Sequence, residues 1–246
     1  MLISYSHRFV FIHIYKVAGT SIRDALKPYS FNPNVFLPTR LLRMLGVHNV
    51  VRHHRLQKLG GHARAKEVRD ALPAKIFNEF YKFAFARNPW DWQVSLYNFA
   101  LKDPTHHDHE LMKSLGSFEK YIEWRVNEEL RLQKEFVVDE RGELIVDFVG
   151  RYETLERDFH ELCGRLGVSS RLPHLNRTPR NSYTDYYTPE TVAVVAEAFK
   201  EDVEFFGYDF DSSKSPSPMY GPAGRSRSGG VAAAALAARA PDSRLD

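Results

Sequence analysis

Nothing in this chain constrains its fold more than the unit that opens at Phe9. Phe9-Val10-Phe11-Ile12-His13-Ile14 is a nearly continuous apolar run, the pattern of a strand buried on both faces of a parallel sheet. A turn spans Tyr15 to Thr20, and Ile22, Ala25 and Leu26 then recur at helical spacing up to Pro28. Strand, loop and helix return at Tyr81-Lys82-Phe83-Ala84-Phe85-Ala86, where Arg87-Asn88-Pro89 leads into a helix with Trp92, Ser95, Leu96 and Phe99 on one face. A third strand is expected within Leu144 to Tyr152, after a hairpin turn at Asp139-Glu140-Arg141-Gly142. Its helix carries Leu155, Phe159, Leu162 and Leu166, and Gly167 stands where a C-terminal stop belongs. A last helix follows Thr188-Pro189 and displays Val192, Val195, Ala196, Phe199 and Val203. Alternating strands and helices predict an α/β three-layer sandwich around a central, mostly parallel sheet, with ligands bound beyond the carboxyl ends of the strands.

Size and charge narrow the options. The 246 residues suffice for one sizeable core, placed here at 1–211. From Ser212 the chain turns rich in Ser, Pro, Gly, Arg and then Ala, which predicts a disordered tail over 212–246. Lys and Arg total 34 against 31 acidic residues, a net charge of +3 that argues against a dedicated nucleic-acid binder. Cys163 is the single cysteine, so no intrachain disulfide can form. With no apolar stretch long enough to span a bilayer and no signal-peptide layout, the expected setting is soluble and cytoplasmic.

The first loop, Lys16-Val17-Ala18-Gly19-Thr20-Ser21, is placed to seat an anion. A helix start offers unpaired N–H groups and the positive end of the helix dipole. Gly19 allows close backbone approach, Thr20 and Ser21 bring hydroxyls, and Lys16 brings a mobile cation. It is not a Walker A loop, because the leading glycine is missing and the lysine precedes Gly19. A plain βα turn with capping hydroxyls accounts for the same residues, and spacing alone does not separate the two. At the second loop, Arg87 offers a bidentate fork and Ser95 a hydroxyl from the next helix. The plainer reading there pairs Arg87 with Asp91 and leaves Ser95 as a capping residue.

Together the two loops carry a resemblance. Phe11-Ile12-His13-Ile14-Tyr15-Lys16-Val17-Ala18-Gly19-Thr20-Ser21 resembles the phosphosulfate-binding loop of the sulfotransferase family that includes the carbohydrate sulfotransferases. It departs from that pattern at Tyr15, where proline is usual, and at Val17. Arg87-Asn88-Pro89-Trp90-Asp91-Trp92-Gln93-Val94-Ser95-Leu96-Tyr97 is similar to the family's 3′-phosphate motif, with Trp92 or Gln93 in place of its inner basic residue. Asp147 to Glu153 with Asp158-Phe159 looks like the third strand and helix, and Leu172 to Thr178 with Tyr186-Tyr187 like the C-terminal loop that closes over the nucleotide. The resemblance spans about residues 9–210 and implies a P-loop-like fold. It also implies transfer of a sulfuryl group from 3′-phosphoadenosine 5′-phosphosulfate (PAPS), without a metal, to a hydroxyl. Lys16, Gly19, Thr20 and Ser21 would hold the phosphosulfate, Arg87 and Ser95 the 3′-phosphate, and Arg177 and Thr178 the nucleotide from the closing loop.

Such a displacement needs a base and a cation at the leaving oxygen. Lys16 is the candidate cation. His62, in Leu59-Gly60-Gly61-His62-Ala63-Arg64, is the candidate base, since imidazole titrates near neutral pH and this segment resembles the Gly-His stretch of heparan-type 2-O-sulfotransferases. His13 reads as a packed strand residue, and His53 and His54 have no motif behind them. His106-His107-Asp108-His109-Glu110 resembles a metal cluster but reads better as a solvated loop. Arg43, Arg52, Arg55, Lys58, Arg64, Lys66 and Arg69 would line an acceptor groove or a solvated face equally well. A saccharide hydroxyl is the default acceptor, with a lipid or small alcohol as others. Two rival functions remain: a P-loop-like kinase acting on ATP, and a non-catalytic glycan- or phosphate-binding module.

Overall fold

The computed structural model describes residues 1–30, 59–173, 182–211 and 216–221. The chain is α/β, with helices packed about a five-stranded sheet in the sandwich that the sequence predicts. The sheet runs in chain order: β1 (Leu2–Ser4), β2 (Phe9–Phe11), β3 (Tyr81–Ala86), β4 (Phe148–Arg151) and β5 (Met219–Tyr220). β2, β3 and β4 are parallel, in register Phe11 to Phe83 and Phe83 to Phe148. β1 and β5 flank them antiparallel, in register Leu2 to Phe11 and Phe148 to Tyr220.

Every residue of β2, β3 and β4 is buried, as expected for parallel strands covered on both faces. Phenylalanines supply most of the filling. Phe11 stacks on Phe83 with ring centroids 5.2 Å apart, and Phe85 meets Phe148 edge-on at 6.1 Å. Gly150 leaves the room for Phe85, since a methyl there would overlap that ring. Lys82 and Asp147 form a buried ion pair at 2.8 Å near the amino ends of β3 and β4. The Lys82 ammonium also donates to the Phe77 and Phe80 carbonyls, so the buried charge is fully occupied.

Helices α1 (Gly19–Leu26), α4 (Pro89–Lys102) and α7 (Leu155–Leu166) follow β2, β3 and β4, one after each parallel strand. Pro89 occupies the first turn of α4, and the Asn88 side chain accepts the Trp90 N–H as its cap. α7 buries Phe159, Leu162 and Leu166 and stops at Gly167, whose φ of 65° is left-handed. Between these units lie α2 (Ala65–Ala71), α3 (Ala74–Glu79), α5 (His109–Leu115) and α6 (Phe118–Glu128).

Three details differ from the expectations. The N-terminal residues form a strand of their own, turning back at Arg8 with φ 53°. The helix after Thr188 is two, α8 (Pro189–Ala198) and α9 (Lys200–Phe206), broken at Phe199. Within the stretch assigned to a tail, Met219–Tyr220 pairs with Val149 and Phe148, and Ser217 offers its carbonyl to the buried Arg151. Among the described residues no helix is long and apolar enough to cross a membrane.

Candidate active site

The carboxyl ends of β2 and β3 open into two strand-to-helix corners. In the first, Ile12 still bonds the Phe83 carbonyl, and Val17 is fully buried. Lys16 and Ala18 on either side have φ of 61° and 60°, left-handed values that a side chain resists. Backbone strain of this kind collects where a loop must hold a set shape. α1 begins directly after Ala18, an N-cap residue that brings no capping side chain, and has no acidic residue in its first turn. Thr20 is exposed on that turn and Ser21 is buried under it.

Gly19 has a reason that sequence reading missed. A methyl at this position would overlap the His13 imidazole, so the glycine first makes room for that ring. His13 is buried, as expected, stacked on Phe11 at 5.4 Å and packed against the tilted His62 ring at 4.4 Å. Burial lowers its pKa to about 2, so it is neutral.

His62 stands at the mouth of the same corner. Its Nδ1 lies 3.0 Å from the His13 carbonyl, and a carbonyl can only accept. Nδ1 therefore carries the proton, and Nε2 keeps a lone pair. Burial holds the His62 pKa below the ordinary 6.5, against the raising effect of that hydrogen bond. The ring also meets Tyr15 edge-on at 5.8 Å. A neutral imidazole with its lone pair on Nε2 is a form a general base requires.

The second corner is tied to the first. Arg87 is 3% exposed; its Nε donates to Asp91 at 2.7 Å and its Nη1 to the Lys16 carbonyl at 3.0 Å. The guanidinium lies 3.9 Å over the Tyr152 ring, just past β4. The pairing with Asp91 is thus present, and the bond to Lys16 is the part that no local pattern announces. Nearby, Trp92 Nε1 donates to the Tyr15 carbonyl at 2.8 Å, and the two rings pack at a tilt 5.0 Å apart. Ser95 is half-buried on α4, one turn before Phe99, so both lie on one face. Phe99 is 40% exposed, and the Lys16 ammonium sits 3.6 Å above its ring. The Lys16 cation therefore lies over the helix face that carries Ser95.

More polar groups brace these corners. Glu153 accepts from Asn88 N–H at 2.6 Å and from the Tyr208 hydroxyl at 3.0 Å, with burial pushing its pKa up. Gln133, fully buried, bonds both backbone groups of Arg87. Neither Gln133 nor Tyr208 has a sequence pattern that would have marked it. Tyr187 donates to the Trp90 carbonyl at 2.9 Å, and Tyr186 shares hydrogen bonds with Asn98, so this pair docks on α4.

Arg177 and Thr178 lie outside the described residues, as do Arg43, Arg52, His53, His54, Arg55 and Lys58. Arg64 is paired with Glu135 and Arg69 with Asp70 and Glu140, which commits both to surface ion pairs. His106, His107 and Asp108 bring ligand atoms within 4.8 Å of one another, whereas His109 turns inward to the Ala100 carbonyl. A cavity of about 250 Å³ opens against α7, lined by Glu156, Phe159, His160, Ser170, Arg171 and Leu172, none of them in the two corners.

An uncharacterized protein of Archaeoglobus fulgidus is 28% identical over 108 residues, covering 43% of this chain and 82% of that protein. The family model described as "Sulfotransferase family" matches residues 1–209, the whole sheet apart from β5 together with both corners. The chain belongs to the sulfotransferase family.

Proposed function

We propose that this sulfotransferase moves the sulfuryl group of PAPS to a hydroxyl of an acceptor, with a saccharide as the acceptor class, by a single in-line displacement. The reading is supported chiefly by one observation, the hydrogen bond from Arg87 to the Lys16 carbonyl, which ties the two strand-to-helix corners together. Residues 16 and 19–21 would take the 5′-phosphosulfate end. Arg87 and Ser95 would take the 3′-phosphate, and Arg177 and Thr178 are assigned to the same nucleotide on the motif alone. His62 Nε2 accepts the acceptor's proton as its oxygen bonds to sulfur. The bond from sulfur to the bridging oxygen breaks, and the Lys16 ammonium stabilises the charge left there. No step requires a metal.

Titration calorimetry with adenosine 3′,5′-bisphosphate tests the seat. Binding is expected, weakened by about 1.5–3 kcal/mol in Arg87→Ala, the usual scale of a lost charged hydrogen bond. Absence of binding, or equal binding by ATP, defeats the proposal and favours the kinase reading; tight binding without turnover favours a binding module.

The pH profile carries a second expectation. With the His62 pKa held below 6.5 by burial, kcat/KM should rise through a midpoint below 6.5 and stay level to pH 8. His62→Ala should remove that limb along with most turnover. A midpoint above 6.5, or an unaltered profile in the variant, excludes His62 as the base.

A further inference from the structure

We infer that Gln133 is a positioning residue for Arg87, and that it sets the enzyme's preference for a nucleotide bearing a 3′-phosphate. The inference rests on the proposed role of Arg87.

Arg87 is the first residue beyond β3. On one side the parallel ladder is ending, with Ala86 opposite Arg151 and Tyr152 N–H bonding the Ala86 carbonyl at 2.8 Å. The backbone of Arg87 itself is held by a side chain. Gln133 Oε1 accepts the Arg87 N–H at 3.0 Å, and Gln133 Nε2 donates to the Arg87 carbonyl at 2.7 Å. One amide thus does for this residue what a neighbouring strand does for those before it.

The backbone of Gln133 is in turn held fast. Asp202 of α9 accepts the N–H of Gln133 at 2.8 Å through one carboxylate oxygen and that of Lys134 at 2.8 Å through the other. Gln133 and Asp202 are both 0% exposed, so water competes for none of these bonds. The peptide of Arg87 is therefore fixed, and its guanidinium leaves from a fixed origin toward Asp91, the Lys16 carbonyl and the Tyr152 face. A planar fork discriminates between ligands only while its origin and direction are held. A displacement of about an ångström is enough to forfeit such a contact. No other side chain among the described residues bonds both backbone groups of Arg87.

The test compares adenosine 3′,5′-bisphosphate with adenosine 5′-monophosphate, each titrated into wild type, Gln133→Leu and Gln133→Met. The methionine variant keeps the length of the side chain and loses both bonds to Arg87 without burying a charge. It is the milder change, and decides the matter alone should the leucine variant fail to fold. The expected result is a ratio of affinities that falls by about tenfold or more in both variants, with 5′-monophosphate affinity little changed. A residue that merely supports the fold would weaken both nucleotides alike, so an unaltered ratio overturns the inference. A wild type without preference for the bisphosphate overturns the role of Arg87 and this inference with it, and does so before any Gln133 variant is measured.

Discussion

Lys16→Ala should lower kcat by about two to three orders of magnitude while leaving the affinity for adenosine 3′,5′-bisphosphate within severalfold. The size follows from removing a single cation aimed at charge that develops only in the transition state, which typically costs about 2.7–4 kcal/mol. The substitution is unusually clean. Lys16 has φ 61°, and alanine has the same Cβ and meets the same backbone strain, so the loop loses a charge without gaining a new penalty. The Arg87 contact is to the carbonyl of residue 16, which every substitution retains. Steady-state kinetics and calorimetry on the same preparation separate the effects. An unchanged kcat would remove Lys16 from the chemistry, and a collapse of nucleotide affinity would make it chiefly a binding group.

Gly19→Ala should be strongly damaging, costing about 2–4 kcal/mol of stability together with nearly all activity. The added methyl coincides with the His13 imidazole. That ring cannot step aside easily, because Phe11 stacks on it and His62 packs against it as well. Either α1 moves off the sheet or His13 swings out and takes along the carbonyl on which the His62 tautomer depends. Denaturant unfolding measures the stability cost. His13→Ala in the same chain should restore part of it, by giving the methyl a place. A Gly19→Ala protein that unfolds like wild type would show that the corner accommodates the methyl.

Much of this architecture can be read along the chain because each corner is local. Strand, loop, cap and helix follow one another within some 20 residues, and Phe9, Lys16 and Ile22, or Phe83, Arg87 and Pro89, declare themselves by period and type. The bonds that unite the corners are not local. Arg87 reaches Lys16 across 71 positions and Gln133 across 46, and nothing in a linear pattern reports such a meeting. β1 escaped notice because Leu2-Ile3-Ser4 is short and turns at Arg8 without a glycine. Helical spacing runs on through Phe199, which conceals the break between α8 and α9. Met219 and Tyr220 join the sheet by backbone pairing within a Ser- and Pro-rich stretch whose composition says nothing of it. Gly19 was legible as a requirement, but the reason is the neighbouring imidazole, which only three dimensions supply.

Tyr15 and Trp92 fasten the two corners a second time, their rings 5.0 Å apart and the indole N–H held by the Tyr15 carbonyl. A loop and a helix clasped in this way shift as one body. Whatever tilts the start of α4 therefore also tilts the loop that leads into α1.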